Sequence, residues 1–261
     1  YGPLTALSNV RVDVMSALVS FERVFEVLDL QPMVVDSSNA KELSTRKPDL
    51  KFENVSFTYP KAEEISLASL EIAAKPEMVS SGQVLHKISF TAAPGTLTGI
   101  VGPSGAGKST ISSLIPRLYD VSGGQILIDG VDIKEYSIKS LRHAIGVVTQ
   151  DSHMFHDSIL VNLQYAKPDA TAAEIESACR SARIWDFITS LPNGLDTVVG
   201  ERGHRLSGGE KQRLAIARLL LKQPSLVILD EATAHLDSEN EAMVQAALKE
   251  ALIGRTSIVI A

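Results

Sequence analysis

The segment at residues 102–110 has the residue types and the spacing needed to hold phosphate groups. It reads GPSGAGKST and follows the apolar run LTGIV at residues 97–101, which predicts a strand leading into the loop. Glycines let the backbone curl until successive N–H groups point inward, and the helix that follows directs the positive end of its dipole at the bound anion. Lys108 is expected to reach the outer phosphates, and the Ser109 hydroxyl to ligate Mg²⁺. An ordinary glycine-rich turn is the alternative, which the Lys-Ser pair after a strand disfavours. The predicted loop consists of Gly102, Pro103, Ser104, Gly105, Ala106, Gly107, Lys108, Ser109 and Thr110.

Two carboxylates follow a second apolar run. Residues 226–229 read LVIL, a pattern typical of a strand buried on both faces, and Asp230 and Glu231 come at its carboxyl end, where α/β sheets bind ligands. Asp230 is suited to holding Mg²⁺ through its water shell, and Glu231 to polarising an attacking water. Two solvated acids at a strand end are the alternative. The phosphate loop in the same chain favours the catalytic interpretation.

A second glycine-containing helix start lies at residues 206–213, which read LSGGEKQR. A hydroxyl and two glycines immediately before a long helical pattern can present amide donors to an anion. A turn with a serine N-cap is the simpler interpretation of these residues in isolation. The residues concerned are Leu206, Ser207, Gly208, Gly209 and Glu210.

Composition bounds the class of protein. A chain of 261 residues with 44% hydrophobic and 21% charged residues is typical of one large or two modest globular domains. The formal net charge of −6 disfavours a nucleic-acid partner, so phosphate binding must be local. Cys179 is the only cysteine, which excludes an intrachain disulfide and predicts a small packing residue without chemistry. Apolar runs stay shorter than the roughly 18 residues that a membrane span requires.

Strand and helix patterns alternate along the chain. Residues 50–59 predict an edge strand, and residues 60–82 predict a polar surface insertion with a weak helical patch. Residues 157–191 are dominated by helical spacing, which predicts a helical subdomain. The alternation in the remainder predicts a mostly parallel α/β sheet. Further strands are predicted at 84–90, 123–130, 145–149, 226–230 and 257–260, and helices at 109–118, 209–221 and 238–251.

The first thirty residues carry an apolar stripe at alternating three- and four-residue steps, the signature of one helix face. The polar, proline-punctuated residues 31–47 that follow predict a linker. Such a stripe needs a partner surface. The pattern alone leaves three interpretations open: the stripe packs against the protein's own core, it forms a coiled-coil seam, or it belongs to the cytoplasmic end of a longer helix. The stripe consists of Leu7, Val10, Val14, Ala17, Phe21, Val24 and Leu28.

The three motifs, in this order and at these separations, resemble the nucleotide-binding domain of ATP-binding cassette (ABC) transporters, over about residues 48–261. The resemblance implies an α/β fold: a P-loop NTPase core with a mostly parallel sheet, an antiparallel β subdomain, and an α-helical subdomain at about residues 151–206. It implies ATP and Mg²⁺ as cofactors, and an Mg-dependent ATPase that powers transport of a substrate. Residues 1–30 resemble the end of an exporter's last transmembrane helix. An exporter type with a transmembrane domain fused N-terminally, at the cytoplasmic face of the cell membrane, is therefore expected.

The resemblance also assigns roles residue by residue. ATP is expected to lie between the Walker A loop of one domain and the Ser-Gly-Gly signature of a second, so that dimerisation, with a like or an unlike domain, is part of catalysis. Tyr59 is expected to stack on adenine, Asp237 to lie in the D-loop, and Glu201 to contact the transmembrane domain. The implied catalytic residues are Glu231, Lys108 and Gln150, and the implied metal-binding residues are Ser109, Gln150 and Asp230.

Some features depart from the family pattern. The chain stops at Ala261, where the switch histidine would come next, so we expect this segment to bind ATP well and to hydrolyse it poorly. His235 occupies a D-loop position that is usually small, and the insertion at 60–82 is longer than usual. A soluble cassette ATPase of DNA repair or translation and a non-hydrolysing nucleotide-dependent interaction module are the alternatives. The sequence upstream of residue 1 would distinguish the soluble ATPase from a transporter. The presence of Glu231 argues against the non-hydrolysing module.

Overall fold

The computed structural model describes residues 2–30, 32–60, 82–149, 152–200, 206–231 and 238–261. Contacts divide the chain into two units, one formed by Tyr1–Val35 with Thr58–Gln83 and the other by Asp36–Phe57 with Val84–Ala261. In the first unit, the predicted amphipathic helix is present as α1, Gly2–Leu28. From Val10 to Leu28 its large apolar side chains are exposed, including Phe21 at 61% and Leu28 at 70%.

A parallel sheet forms the centre of the second unit. One of its strands, Thr256–Ile260, pairs on both sides, with Leu97–Ile100 and with Leu226–Asp230. The Leu226–Asp230 strand is buried on both faces, as its apolar sequence predicts. The carboxyl ends of all these strands meet at one edge. In the order in which they lie across the sheet, the strands are β3 (Leu97–Ile100), β8 (Thr256–Ile260), β7 (Leu226–Asp230) and β6 (Ile145–Val148).

An antiparallel sheet forms a second layer of β-structure. Its strand Leu50–Phe57 pairs with Leu85–Ala92 on one side and with Gly123–Ile128 on the other. The prediction of an edge strand here was therefore wrong. An alternating apolar pattern reports one buried face and does not tell an edge strand from an internal one, because the neighbours lie far along the chain. In order across the sheet, the strands are β2 (Leu85–Ala92), β1 (Leu50–Phe57), β4 (Gly123–Ile128) and β5 (Val131–Asp132).

Helices pack around the parallel sheet. The helix after the phosphate loop ends at Leu114, four residues earlier than predicted, because Pro116 has no N–H to continue the helical ladder. The predicted α/β fold class, with its parallel sheet, antiparallel sheet and helical segment, is confirmed. The helices are α2 (Lys108–Leu114), α3 (Ile138–Ala144), α4 (Ile159–Gln164), α5 (Ala172–Ser181), α6 (Trp185–Ser190), α7 (Gly208–Lys222) and α8 (Ser238–Leu252), with short 3₁₀ turns at Ile133–Glu135 and Gly194–Asp196.

Helix α7 is the central packing element, since it contacts α5, α8 and strand β6. Its apolar side chains join those of α5 and β7 in one buried cluster that includes Cys179. Burial raises the pKa of the Cys179 thiol to about 12. The thiol is therefore uncharged at neutral pH, which fits a packing role.

A buried hydroxyl joins the two sheets. Thr256, at the start of β8, is fully buried; its Oγ1 donates to the carbonyl of Pro48 (2.6 Å) and accepts from the amide of Gly95 (2.9 Å). Pro48 precedes β1, and Gly95 lies in the turn between β2 and β3. One side chain therefore holds the start of the antiparallel sheet against the parallel one.

Replacing Thr256 by Val should lower the free energy of unfolding by about 1–3 kcal/mol, because the isosteric side chain leaves a buried carbonyl and a partly buried amide without their partner. Urea denaturation would measure the loss. Thr256→Ser keeps both hydrogen bonds and removes only a methyl group, so it should be the less destabilising of the two. A larger loss in the Ser variant would show that packing, and not hydrogen bonding, matters at this position.

Candidate functional site

The phosphate loop connects β3 to α2 and depends on glycine for its conformation. Gly107, the residue before the helix, has φ of 86°, which a side chain rarely adopts. A Cβ at this position would lie 2.7 Å from Cδ2 of Leu85 and 3.2 Å from Cγ1 of Val84. The loop backbone therefore packs directly against the start of β2. With no side chain capping α2, the amides at its start are open to an anion.

Lys108 lies across the mouth of this loop. Its Nζ donates to the carbonyl oxygens of Gly102 (2.7 Å) and Pro103 (3.3 Å). Residues 101–106 are exposed, as is Ser109, whereas Thr110 is buried under the loop. The ammonium group and the Ser109 hydroxyl are thus both held at an accessible helix start.

The two acids stand at the end of β7, at the same edge of the sheet. Asp230 is half-buried, and its Oδ2 lies 2.9 Å from the hydroxyl of Ser112 on α2. Glu231 is exposed, and its amide donates to the carbonyl of Ile260 at 3.0 Å. Its φ of 48° lies in the left-handed region, which a non-glycine residue adopts only where the surroundings impose it.

The start of α7 carries the Ser-Gly-Gly motif in a reciprocal cap. The Ser207 hydroxyl accepts from the amide of Glu210, and the Glu210 carboxylate accepts from the amide of Ser207 at 2.7 Å. This is the capping box that Ser-x-x-Glu predicts. A Cβ on Gly209 would lie 2.4 Å from Oδ1 of Asn240, so the glycine allows α7 to pack closely against α8. Leu206 is half-buried beside it.

Polar side chains of α7 also hold the chain on both sides of residues 150–151. The Gln212 amide donates to the carbonyl of Thr149 (3.2 Å), and its oxygen is bonded to the hydroxyl of Ser152. Further along the helix, Arg218 donates to the carbonyls of His153 and Asn162, both at 2.7 Å. Burial lowers the pKa of the Arg218 guanidinium below its usual value. Sequence reasoning missed these residues, because a helical pattern does not reveal such distant partners.

The remaining predicted site residues are Tyr59 and four residues outside the described ranges. Tyr59 is half-buried and follows β1 by two residues; its stacking on adenine stays a prediction. Gln150, Glu201, His235 and Asp237 lie outside the described residues, as do residues 61–81 of the insertion predicted at 60–82.

The few oxygen donors at this site suit a magnesium ion that is held mainly by the phosphate groups of a nucleotide. Among the described residues, no cluster of three His, Cys, Asp or Glu side chains stands ready to hold a metal. The Ser112 contact directs Asp230 toward the helix that also carries Ser109. Such hard oxygen donors, few in number, fit Mg²⁺, which retains water and binds phosphate oxygens in addition to one or two protein ligands. The residues present therefore fit the implied ion.

Fold and site together define a P-loop nucleotide-binding domain. The model of the ABC transporter family matches residues 85–234. The chain belongs to the ABC transporter family, as its motifs predicted.

Similar proteins support this assignment along nearly the whole chain. It is 44% identical over 259 residues to "ABC transporter aclQ" of Aspergillus oryzae, covering 99% of this chain and 30% of that protein. It is 42% identical to the "ATP-dependent lipid A-core flippase" of Syntrophus aciditrophicus, covering 100% of this chain and 40% of that protein. A solved structure of a bacterial Atm1-family ABC exporter with ATP bound superposes with a TM-score of 0.82 at 42% identity, over 95% of this chain and 40% of the exporter chain.

These similarities identify a nucleotide-binding domain of the exporter type, and the family implies ATP binding and hydrolysis. They do not favour the soluble repair or translation ATPase or the non-hydrolysing module. The chain spans 30–40% of the length of these relatives. In the described part of the chain, no helix combines the length and apolarity needed to cross a membrane.

Gly107→Ala should destabilise the fold by roughly 1–3 kcal/mol, since the added methyl group meets Leu85 and Val84 in a strained backbone. Gly99→Ala is the matched control, because its Cβ would meet nothing within 4 Å and Gly99 is exposed on β3. Its effect should stay within about 0.5 kcal/mol. Urea unfolding of both variants measures the difference, and equal stabilities would show that the loop tolerates a side chain there.

Proposed function

We propose that the chain is the ATP-hydrolysing domain that powers an exporter-type transporter in the membrane. The observation that carries the proposal is the alignment of strand ends, which brings the phosphate loop and the Asp230–Glu231 pair to one edge of the parallel sheet. ATP is held there by residues 102–110 and by Tyr59. Lys108 exchanges its carbonyl acceptors for phosphate oxygens, which are stronger acceptors because they are charged.

Hydrolysis follows from positioning and electrostatics. Mg²⁺ would be held by Ser109, Asp230 and Gln150, and it would supply positive charge that offsets the charge of the phosphates. Glu231 accepts a hydrogen bond from the attacking water and orients it toward the γ-phosphate. Lys108 offsets the charge that develops on the phosphoryl oxygens. Glu231 is therefore the general base, and its removal should slow hydrolysis while sparing binding.

A second nucleotide-binding domain completes each site. The signature residues 206–210 at the start of α7 contact the phosphates bound to the partner domain, and Asp237 lies in the D-loop between the two. ATP binding closes the dimer and hydrolysis reopens it, which drives alternating access in the attached transmembrane domains. The partner is either a second copy or a related domain.

An aromatic surface is the proposed contact with a transmembrane domain. Phe155 and Tyr165 stack with centroids 4.1 Å apart although they are 41% and 59% exposed. Phe155 also lines a groove of about 300 Å³, together with Arg218 and Lys222. The relatives' additional length supplies the membrane domain that would cover it, and residues 1–30 with their exposed apolar side chains connect to that domain. The ATPase then lies at the cytoplasmic face of the membrane.

Sedimentation of the Glu231→Gln variant with and without MgATP tests the two-sided site. Without the base, the variant should retain unhydrolysed ATP. It should therefore form dimers only when MgATP is present. The additional change Ser207→Arg, which places a bulky cation at the signature, should abolish these dimers while ATP binding by the loop persists. ATP-loaded Glu231→Gln that stays monomeric would contradict assembly by this chain, and unchanged turnover in that variant would remove Glu231 as the base.

Photo-crosslinking of the intact transporter tests the aromatic contact. With p-benzoylphenylalanine in place of Tyr165, irradiation should join this position to peptides of the transmembrane domain, identified by mass spectrometry. The same group in place of Lys249, which is exposed on α8, provides the control and should give none. Crosslinks from position 165 confined to the nucleotide-binding domain would contradict the assignment.

A further inference from the structure

The Ser112 hydroxyl bridges the helix of the phosphate loop and the acid at the end of β7. Its Oγ lies 2.9 Å from Oδ2 of Asp230 and 2.8 Å from the carbonyl oxygen of Ser109, and the residue is 8% exposed. Ser112 stands one helical turn beyond Lys108 on α2. Sequence reasoning assigned it no role, because its partner is 118 residues away in the chain.

The proton of this hydroxyl has one preferred destination. A serine hydroxyl carries a single proton, so it fully satisfies only one of the two acceptors. The carbonyl of Ser109 also accepts from the Ser113 hydroxyl at 3.0 Å. The Asp230 carboxylate is a charged and therefore stronger acceptor. The Ser112 hydroxyl accordingly donates its proton to Asp230, while the Ser113 hydroxyl donates to the carbonyl of Ser109.

We propose that Ser112 is a positioning residue for metal binding: it fixes Oδ2 of Asp230 so that Oδ1 faces the metal site. The inference rests on the proposed function, in which Asp230 holds Mg²⁺ beside Ser109. Rotation about the carboxylate torsion is broad and nearly two-fold, so an untethered Asp230 samples orientations that do not face the ion. Removal of a partner that orients a metal-binding group typically lowers the metal affinity about 10–100-fold.

Binding of the non-hydrolysable analogue AMP-PNP, measured by calorimetry, tests this role. The readout is the ratio of its Kd in EDTA to its Kd in saturating Mg²⁺, which isolates the contribution of the metal. Ser112→Ala should lower this ratio about 10-fold while leaving the Kd in EDTA unchanged. Ser113→Ala is the matched control, because it removes the neighbouring hydroxyl from the same carbonyl without touching Asp230. Its ratio should equal that of the unsubstituted chain.

Two further variants test the hydroxyl at constant side-chain size. Ser112→Thr keeps the hydroxyl donor and should retain the ratio. Ser112→Val has the same shape as the Thr variant without the hydroxyl, and it should lower the ratio as Ser112→Ala does. In an Asp230→Asn background, Ser112→Ala should have no additional effect on the ratio. The comparison of Ser112→Thr with Ser112→Val stands even if Ser112→Ala folds poorly.

The outcomes separate this inference from the proposed function. If Mg²⁺ does not strengthen AMP-PNP binding by the unsubstituted chain, the proposed metal-dependent site is wrong. If Mg²⁺ strengthens binding equally in the unsubstituted chain, Ser112→Ala and Ser112→Val, the positioning role of Ser112 is wrong while the site remains. A loss of affinity in EDTA and in Mg²⁺ to the same extent would assign Ser112 to loop structure alone and overturn the inference.

Discussion

Strand β8 pairs in parallel with β3 and with β7, and the geometry of the site depends on this double pairing. Ile260 lies opposite Ile100 on one side and opposite Asp230 on the other. Because neighbouring strands are about 4.8 Å apart, the ends of β3 and β7 lie about 10 Å apart, on either side of β8. A slip of one residue in β7 would move Asp230 by about 3.3 Å and turn it to the opposite face. β7 and β8 are mostly buried, whereas β3 is partly exposed, so the position of the site depends on the pairing of these strands.

A domain with a net charge of −6 has to attract a polyanion, so the favourable potential must be built locally. Backbone amides at the start of α2 and the ammonium of Lys108 supply it. The carbonyls of Gly102 and Pro103 hold that ammonium at the mouth of the loop. Asp230 and Glu231 stand at the same edge, where their charge opposes a bound triphosphate. In the proposed site a divalent cation would offset this repulsion, which is consistent with acids beside an anion site.

Local patterns predicted much of this architecture, and long-range contacts explain what they missed. β3, β7 and the loop were predictable because apolar runs, glycines and the Lys-Ser pair are contiguous. The internal position of β1 was not, since its partners come from distant segments. For the same reason the Ser112–Asp230 and Gln212–Ser152 contacts, separated by 118 and 60 residues, escaped notice. The catalytic and metal-binding roles themselves stay predictions, because they concern contacts with a nucleotide and a metal ion.

The two interpretations of the Ser-Gly-Gly motif, helix cap and anion site, are compatible. In the capping box the Ser207 oxygen accepts from the Glu210 amide, which uses one of its two lone pairs and leaves its proton available to a phosphate oxygen. The Glu210 carboxylate, which would otherwise repel that phosphate, is tied back to the amide of Ser207. Gly209 in turn allows α7 to press against Asn240, so the helix start is held rigidly by α8. The cap therefore orients the donor that the proposed partner site requires. The same four residues perform both tasks, because capping uses the oxygen of the Ser207 hydroxyl as an acceptor and phosphate binding uses its proton.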